Sequence, residues 1–151
     1  MSPLPYQRVE GHEGVVNAFG YWPRFHDAEV CSLILDRNTP LCEGVADARI
    51  ELCIHAFEWT SEEKPRFNHH LVRLRFHDVR EVKLEGFNHQ NALLELRLEE
   101  ATLLDCAFRV TFIPAHGLSG SFGAATAQVL SVVPCDEKGQ PRQEAEQAHA
   151  A

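Results

Sequence analysis

In four runs, 46–59, 70–77, 92–99 and 103–113, apolar and polar side chains alternate with a period of two, and nothing else in the sequence constrains the fold as tightly. Ala48, Ile50, Leu52 and Ile54 alternate with Arg49, Glu51, Cys53 and His55. Val72, Leu74 and Phe76 alternate with Arg73, Arg75 and His77, and Leu94, Leu96 and Leu98 with Glu95, Arg97 and Glu99. Leu104, Cys106, Phe108, Val110 and Phe112 make a further inward-facing set. Successive side chains of a strand point to opposite faces, so each run predicts a strand with one dry and one wet face. Residues 92–99 have helix-forming composition, but their period favours a strand. Residues 28–36, 79–86 and 121–133 add three more, the last as one continuous strand. Turns are expected from Asp36 to Gly44 and from Ser61 to Asn68. No helical crossover separates the strands, so antiparallel pairing follows. The one helix candidate is 13–20, where Val15, Val16 and Phe19 share a face; Gly20 ends it and Pro23 prevents its continuation. The expectation is a mainly β (α+β) fold: about seven mostly antiparallel strands in a curled sheet or sandwich, with one short N-terminal helix.

A chain of 151 residues, 44% hydrophobic and 24% charged, has the size and composition of one globular domain. That domain is expected over 1–134. Residues 135–151 carry Gly139, Pro141 and a run of Gln, Glu and Ala without an apolar stripe, and read as a disordered polar tail. A net charge of −8 disfavours nucleic acid and suits a basic protein partner. The five cysteines are odd in number and form no CxxC pair; Cys31, Cys53 and Cys106 fall in apolar runs and read as buried thiols in a reducing compartment. Residues 1–10 have no signal-like apolar stretch, and no run is long enough to span a membrane. The cytoplasm is the expected location, with no membrane association.

Two segments concentrate polar and aromatic groups. In Tyr21 to Val30, Tyr21, Trp22, His26 and Asp27 stand out. An Asp beside a His can orient an imidazole for base chemistry. Neighbours in a strand diverge, however, and Asp at a strand entry commonly binds local backbone instead. In Glu85 to Asn91, Phe87, Asn88, His89 and Gln90 suit either a recognition loop or a turn satisfied by its own side chains. Arg24-Phe25-His26-Asp27 is echoed by Arg75-Phe76-His77-Asp78, but the surrounding sequences do not align as a repeat. Nine histidines invite a metal reading, yet there is no HxH on a strand and no HExxH. Gly117 to Ser121 is not a nucleophile elbow, and no glycine pattern cradles phosphate. Neither a catalytic residue nor a cofactor or metal is expected. The residues leave open a small metal-dependent or acid–base hydrolase using His26, Asp27 and His89, or an oligomeric housekeeping binding domain.

The run Phe19 to Val30, the run Leu84 to Asn91, and the closing Ser121-Phe122 and Val129 to Val132 together resemble the bacterial immunity protein 50 family, in order over roughly residues 14–134. The resemblance implies a non-catalytic protein of polymorphic-toxin systems that binds and neutralises a cognate toxin. Tyr21, Trp22, His26, Asp27, Phe87, Asn88, His89 and Gln90 are then candidate partner-binding residues. Glu62, Glu63, Glu99 and Glu100 are candidate acidic rim groups that steer a basic toxin.

Overall fold

The computed structural model describes residues 4–37, 47–101 and 106–142. Among the described residues the strand-like runs become eight antiparallel strands: β1 Glu29–Asp36, β2 Arg49–Glu58, β3 Phe67–His77, β4 Arg80–Glu85, β5 Leu93–Glu100, β6 Phe108–Pro114, β7 Ser119–Ala124 and β8 Thr126–Pro134. They form two four-stranded sheets, ordered β1-β2-β3-β8 and β4-β7-β6-β5. The strand expected over 121–133 is two strands. Ala125 breaks it, and the halves lie in different sheets. β3 likewise passes into β4 through Asp78 and Val79. Because β3 pairs with β8 and β4 with β7, one long ribbon bends from the first sheet into the second. Its corner is pinned where the Ala125 N–H donates to the His77 carbonyl at 3.0 Å.

The inner faces are those of the alternating pattern. Ile50, Leu52 and Ile54 of β2, Val72, Leu74 and Phe76 of β3, and Phe108, Val110 and Phe112 of β6 are all buried. Phe76 and Phe122 meet edge to face, 5.1 Å between ring centres, and join the two sheets into one core. Burying each such ring contributes roughly 1.5–3 kcal/mol. Two bulges correct the expected pattern. In β5 an irregularity between Leu93 and Glu95 keeps Leu93 and Leu96 inside and turns Leu94 out, against the uniform Leu94–Leu96–Leu98 face. In β1 a similar irregularity between Val30 and Ser32 exposes Cys31. Cys53 and Cys106 are only half-buried, so none of the three thiols expected inside is enclosed; among the described cysteines the buried one is Cys135.

Helix α1, His12–Phe19, buries Val15 and Phe19, packs against β8, and ends at Gly20 as its sequence suggests. Residues 135–142, assigned to the tail from sequence, make a turn against the domain. The Cys135 N–H donates to the His69 carbonyl at 3.0 Å, and burial pushes the Cys135 thiol up to about 11. The remainder of the expected tail, 143–151, lies outside the described residues, as do most of the turn at 36–44, Cys42 and Leu104. Among the described residues no helix is long and apolar enough to cross a membrane.

Candidate interaction surface

The two sequence motifs meet. Residues 24–30 run alongside 91–96 and close the corner between the sheets opposite the bent ribbon. The Leu96 N–H donates to the Arg24 carbonyl at 3.0 Å, Asp27 N–H to Leu93 at 2.7 Å, Leu93 N–H to Ala28 at 2.9 Å, and Val30 N–H to Asn91 at 3.0 Å. The Asn91 N–H donates to the Glu29 carboxylate. Phe25 and Asp27 both take left-handed backbone, φ 63° and 64°. Such a conformation costs a bulky residue about 1–2 kcal/mol, which the buried Phe25 ring and the bonded flanks offset, whereas Asp tolerates it. The echoed Asp78 is left-handed too, φ 51°, and sits at the other sheet-to-sheet crossing.

The second motif is a turn satisfied by its own side chains. Asn88 Oδ1 accepts from the Gln90 N–H, and the buried Asn91 side chain accepts from the Asn88 and Leu118 N–H groups while donating to the Asn88 carbonyl. Gly117 packs beneath it with φ +82°; a Cβ there would lie 2.1 Å from the Gln90 carbonyl oxygen. Only glycine fits that approach.

Beside this seam lies an apolar face that water does not favour. Tyr21, Trp59, Phe67 and Leu94 are respectively 54%, 36%, 46% and 44% exposed. Glu58 joins two of them: it pairs with Phe67 across the sheet, and its carboxylate accepts from the Tyr21 phenol; Trp59 follows it in the chain. Partial burial and the Glu58 charge push that phenol up. The His26 ring stacks on Trp59 at 6.1 Å, and its Nδ1 lies 3.2 Å from the Leu94 carbonyl, which sets the backbone of exposed Leu94 beside it. The carbonyl can only accept, so Nδ1 carries the proton.

Next to the face a cleft of about 590 Å³ opens between the sheet ends. Asp27 and Glu29 of the first motif and Gln90 of the second line it, together with His55, His69, Arg66, Phe57, His116 and Glu137. His55 Nε2 and His69 Nδ1 are 2.9 Å apart. Burial, then the neighbouring His69, lowers the pKa of His55. The Arg66 guanidinium lies 4.5 Å over the Phe57 ring and 3.7 Å from the Asp27 carboxylate. A smaller cavity of about 260 Å³ shares Asp27 and Arg66 and is walled by Trp59.

The fold thus distributes the expected residues among different tasks. Tyr21 is on the exposed face, and Trp22 is half-buried, stacked on Tyr6 at 5.5 Å and edge-on to Phe25. His26 and Asp27 occupy a turn, not a strand, and their side chains approach to 3.7 Å instead of diverging. The carboxylate that binds backbone at this strand entry is Glu29, not Asp27. Phe87 and His89 are exposed on the second turn; among the described residues no contact joins His89 to His26 or Asp27. Trp59, Phe67, Leu94 and the His55–His69 pair are what sequence reasoning missed. The pair had a signal: a hairpin across 59–66 sets His55 opposite Leu71, which makes His69 its diagonal neighbour on the same face.

Among the described residues no group of three or more His, Cys, Asp or Glu side chains is placed to hold a metal ion. A family model described as immunity protein 50 matches residues 11–134. No curated protein and no solved structure matches the chain.

Proposed function

The chain belongs to the immunity protein 50 family, and from that premise we propose that it neutralises its toxin by non-catalytic occlusion, using the face of Tyr21, Trp59, Phe67 and Leu94 as the contact surface. Membership in the family implies a cognate toxin partner, and immunity proteins are typically non-catalytic. The observation that carries the choice of face is its composition. Four large exposed apolar side chains, linked to one another through Glu58 and His26, are of the kind that protein interfaces use as anchors, with Trp and Tyr prominent among them. Phe87 and His89, exposed on the second turn, and Gln90, in the adjoining cleft, are further candidate contacts. A basic toxin suits the net charge of −8, which accelerates encounter with a cationic partner.

The test is co-expression with the toxin encoded beside this gene. Cells carrying the wild-type chain should survive toxin induction, and a Trp59→Ala, Phe67→Ala chain of unchanged far-UV circular dichroism should lose most of that protection. Equal killing with and without the wild-type chain rejects the function for that pair. Full protection by the double variant rejects the face.

A further inference from the structure

The cleft beside the apolar face is built from groups that recognise one kind of side chain. Asp27 and Glu29 enter it from the seam, Glu137 from the C-terminal turn, and Phe57 offers an aromatic ring. The chain's own Arg66 shows how a guanidinium sits there, over the Phe57 ring at 4.5 Å and beside Asp27 at 3.7 Å. Ring face plus carboxylate is the pairing that holds arginine, through the ring quadrupole and through charge-assisted hydrogen bonds. Arg66 is itself half exposed and belongs to the loop between β2 and β3, so it fills only part of the volume. Three carboxylates line the cleft against this single guanidinium, which leaves a negative excess there.

We infer that the cleft is a receptor for a cationic side chain, an arginine presented by the partner, that inserts beside Arg66 and pairs with Asp27 and Glu137. This deepens the proposed toxin-binding role and rests on it for the identity of the partner, though not for the chemistry of the site. Glu29 is the fixed member, since it already accepts from the Asn91 N–H, and Gln90 and the imidazoles of His69 and His116 complete the polar wall. Insertion of one basic side chain here, next to Trp59 and His26, would seat the partner on the apolar face and in the cleft together.

The experiment titrates the full chain with N-acetyl-arginine methylamide and follows its backbone amide resonances. The neutral isostere N-acetyl-citrulline methylamide and inorganic phosphate are run alongside. Saturable shifts at Asp27, Gln90 and Glu137 are expected with the arginine compound only, weakened ~10-fold or more in Asp27→Asn. Asn tolerates the left-handed backbone at 27, so that variant keeps its fold. Val82→Ala, exposed on β4 and outside both the face and the cleft, should leave the titration unchanged. No saturation, equal shifts with citrulline, or preferential shifts with phosphate would each overturn the site. Absence of protection in cells by the wild-type chain, with arginine binding intact, removes the toxin role and leaves the site standing. Intact protection with no arginine binding does the reverse.

Discussion

His55 Nε2 and His69 Nδ1 face each other at 2.9 Å across the β2–β3 hairpin. The proton order in this pair follows from its ends. His69 Nε2 lies 3.3 Å from the Arg66 carbonyl, which can only accept, so His69 is protonated on Nε2 and its Nδ1 accepts from His55 Nε2–H. His55 donates through Nε2, its lowered pKa favours the neutral form, and its Nδ1 lies beside Gly139.

Acid should loosen this region first. The folded pKa of His55 lies below its ordinary value, so below that value the unfolded chain binds more protons than the folded one, and stability falls with pH. For one group the slope is at most about 1.4 kcal/mol per pH unit, beginning near pH 6.5. Asp47 acts in a separate window. Its carboxylate accepts from the Asp78 N–H, Arg49 and His77, which hold its pKa low despite burial, so its contribution is lost only as pH falls below about 3.9. Urea midpoints at pH 7.5, 6.5 and 5.5 should decline for the wild type and decline less for His55→Gln. Parallel curves for the two proteins would remove His55 as the cause.

Asn91→Ala strips three bonds from a buried side chain and leaves the Leu118 and Asn88 N–H groups without that acceptor. A loss of about 2–4 kcal/mol is expected. For a chain of this length that is a fall in Tm of roughly 4–16 °C, readable by calorimetry. A fall under a degree would mean that the turn is not held by this residue.

Gly117→Ala combines a left-handed backbone with a Cβ overlapping the Gln90 carbonyl. Destabilisation of at least about 2 kcal/mol is expected. Gly20→Ala is the control, since it has φ +85° but nothing within 4 Å of the added Cβ, and should cost about 1 kcal/mol. Equal losses in the two variants would mean that backbone conformation, and not the close approach, decides.

The two tryptophans should behave oppositely. Trp22→Ala removes a ring packed between Tyr6 and Phe25 and should cost about 2 kcal/mol of stability. Trp59→Ala removes an exposed ring and should change stability by less than about 1 kcal/mol, while weakening toxin binding 10-fold or more. Calorimetry gives the first quantity and titration with purified toxin the second. The reverse pattern would transfer the anchor to Trp22.

The strands were legible because side-chain alternation is a direct image of the pleat, and one inner face per sheet made the image consistent. The boundary at Ala125 was hidden for the same reason: alternation runs unbroken through a bend, so nothing in the pattern marks a change of sheet. Leu94 and Cys31 were misplaced by bulges, which shift a face without leaving a compositional trace. The motifs at 19–30 and 84–91 were visible as unusual. That they join each other depends on hydrogen bonds between backbones more than sixty residues apart, for which a single sequence carries no code. Trp59 lies one residue past β2, where the pleat ends and periodicity no longer says whether a ring points in or out.

The bent ribbon has a consequence for synthesis. β7 lies between β4 and β6, and β8 completes the opposite sheet, so both layers wait for the segment after residue 118. A ribosome that stops earlier releases one three-stranded piece, one hairpin and a lone strand, each with naked edges. A cell that shortens this gene product therefore has no partial protection to fall back on, only a substrate for its proteases.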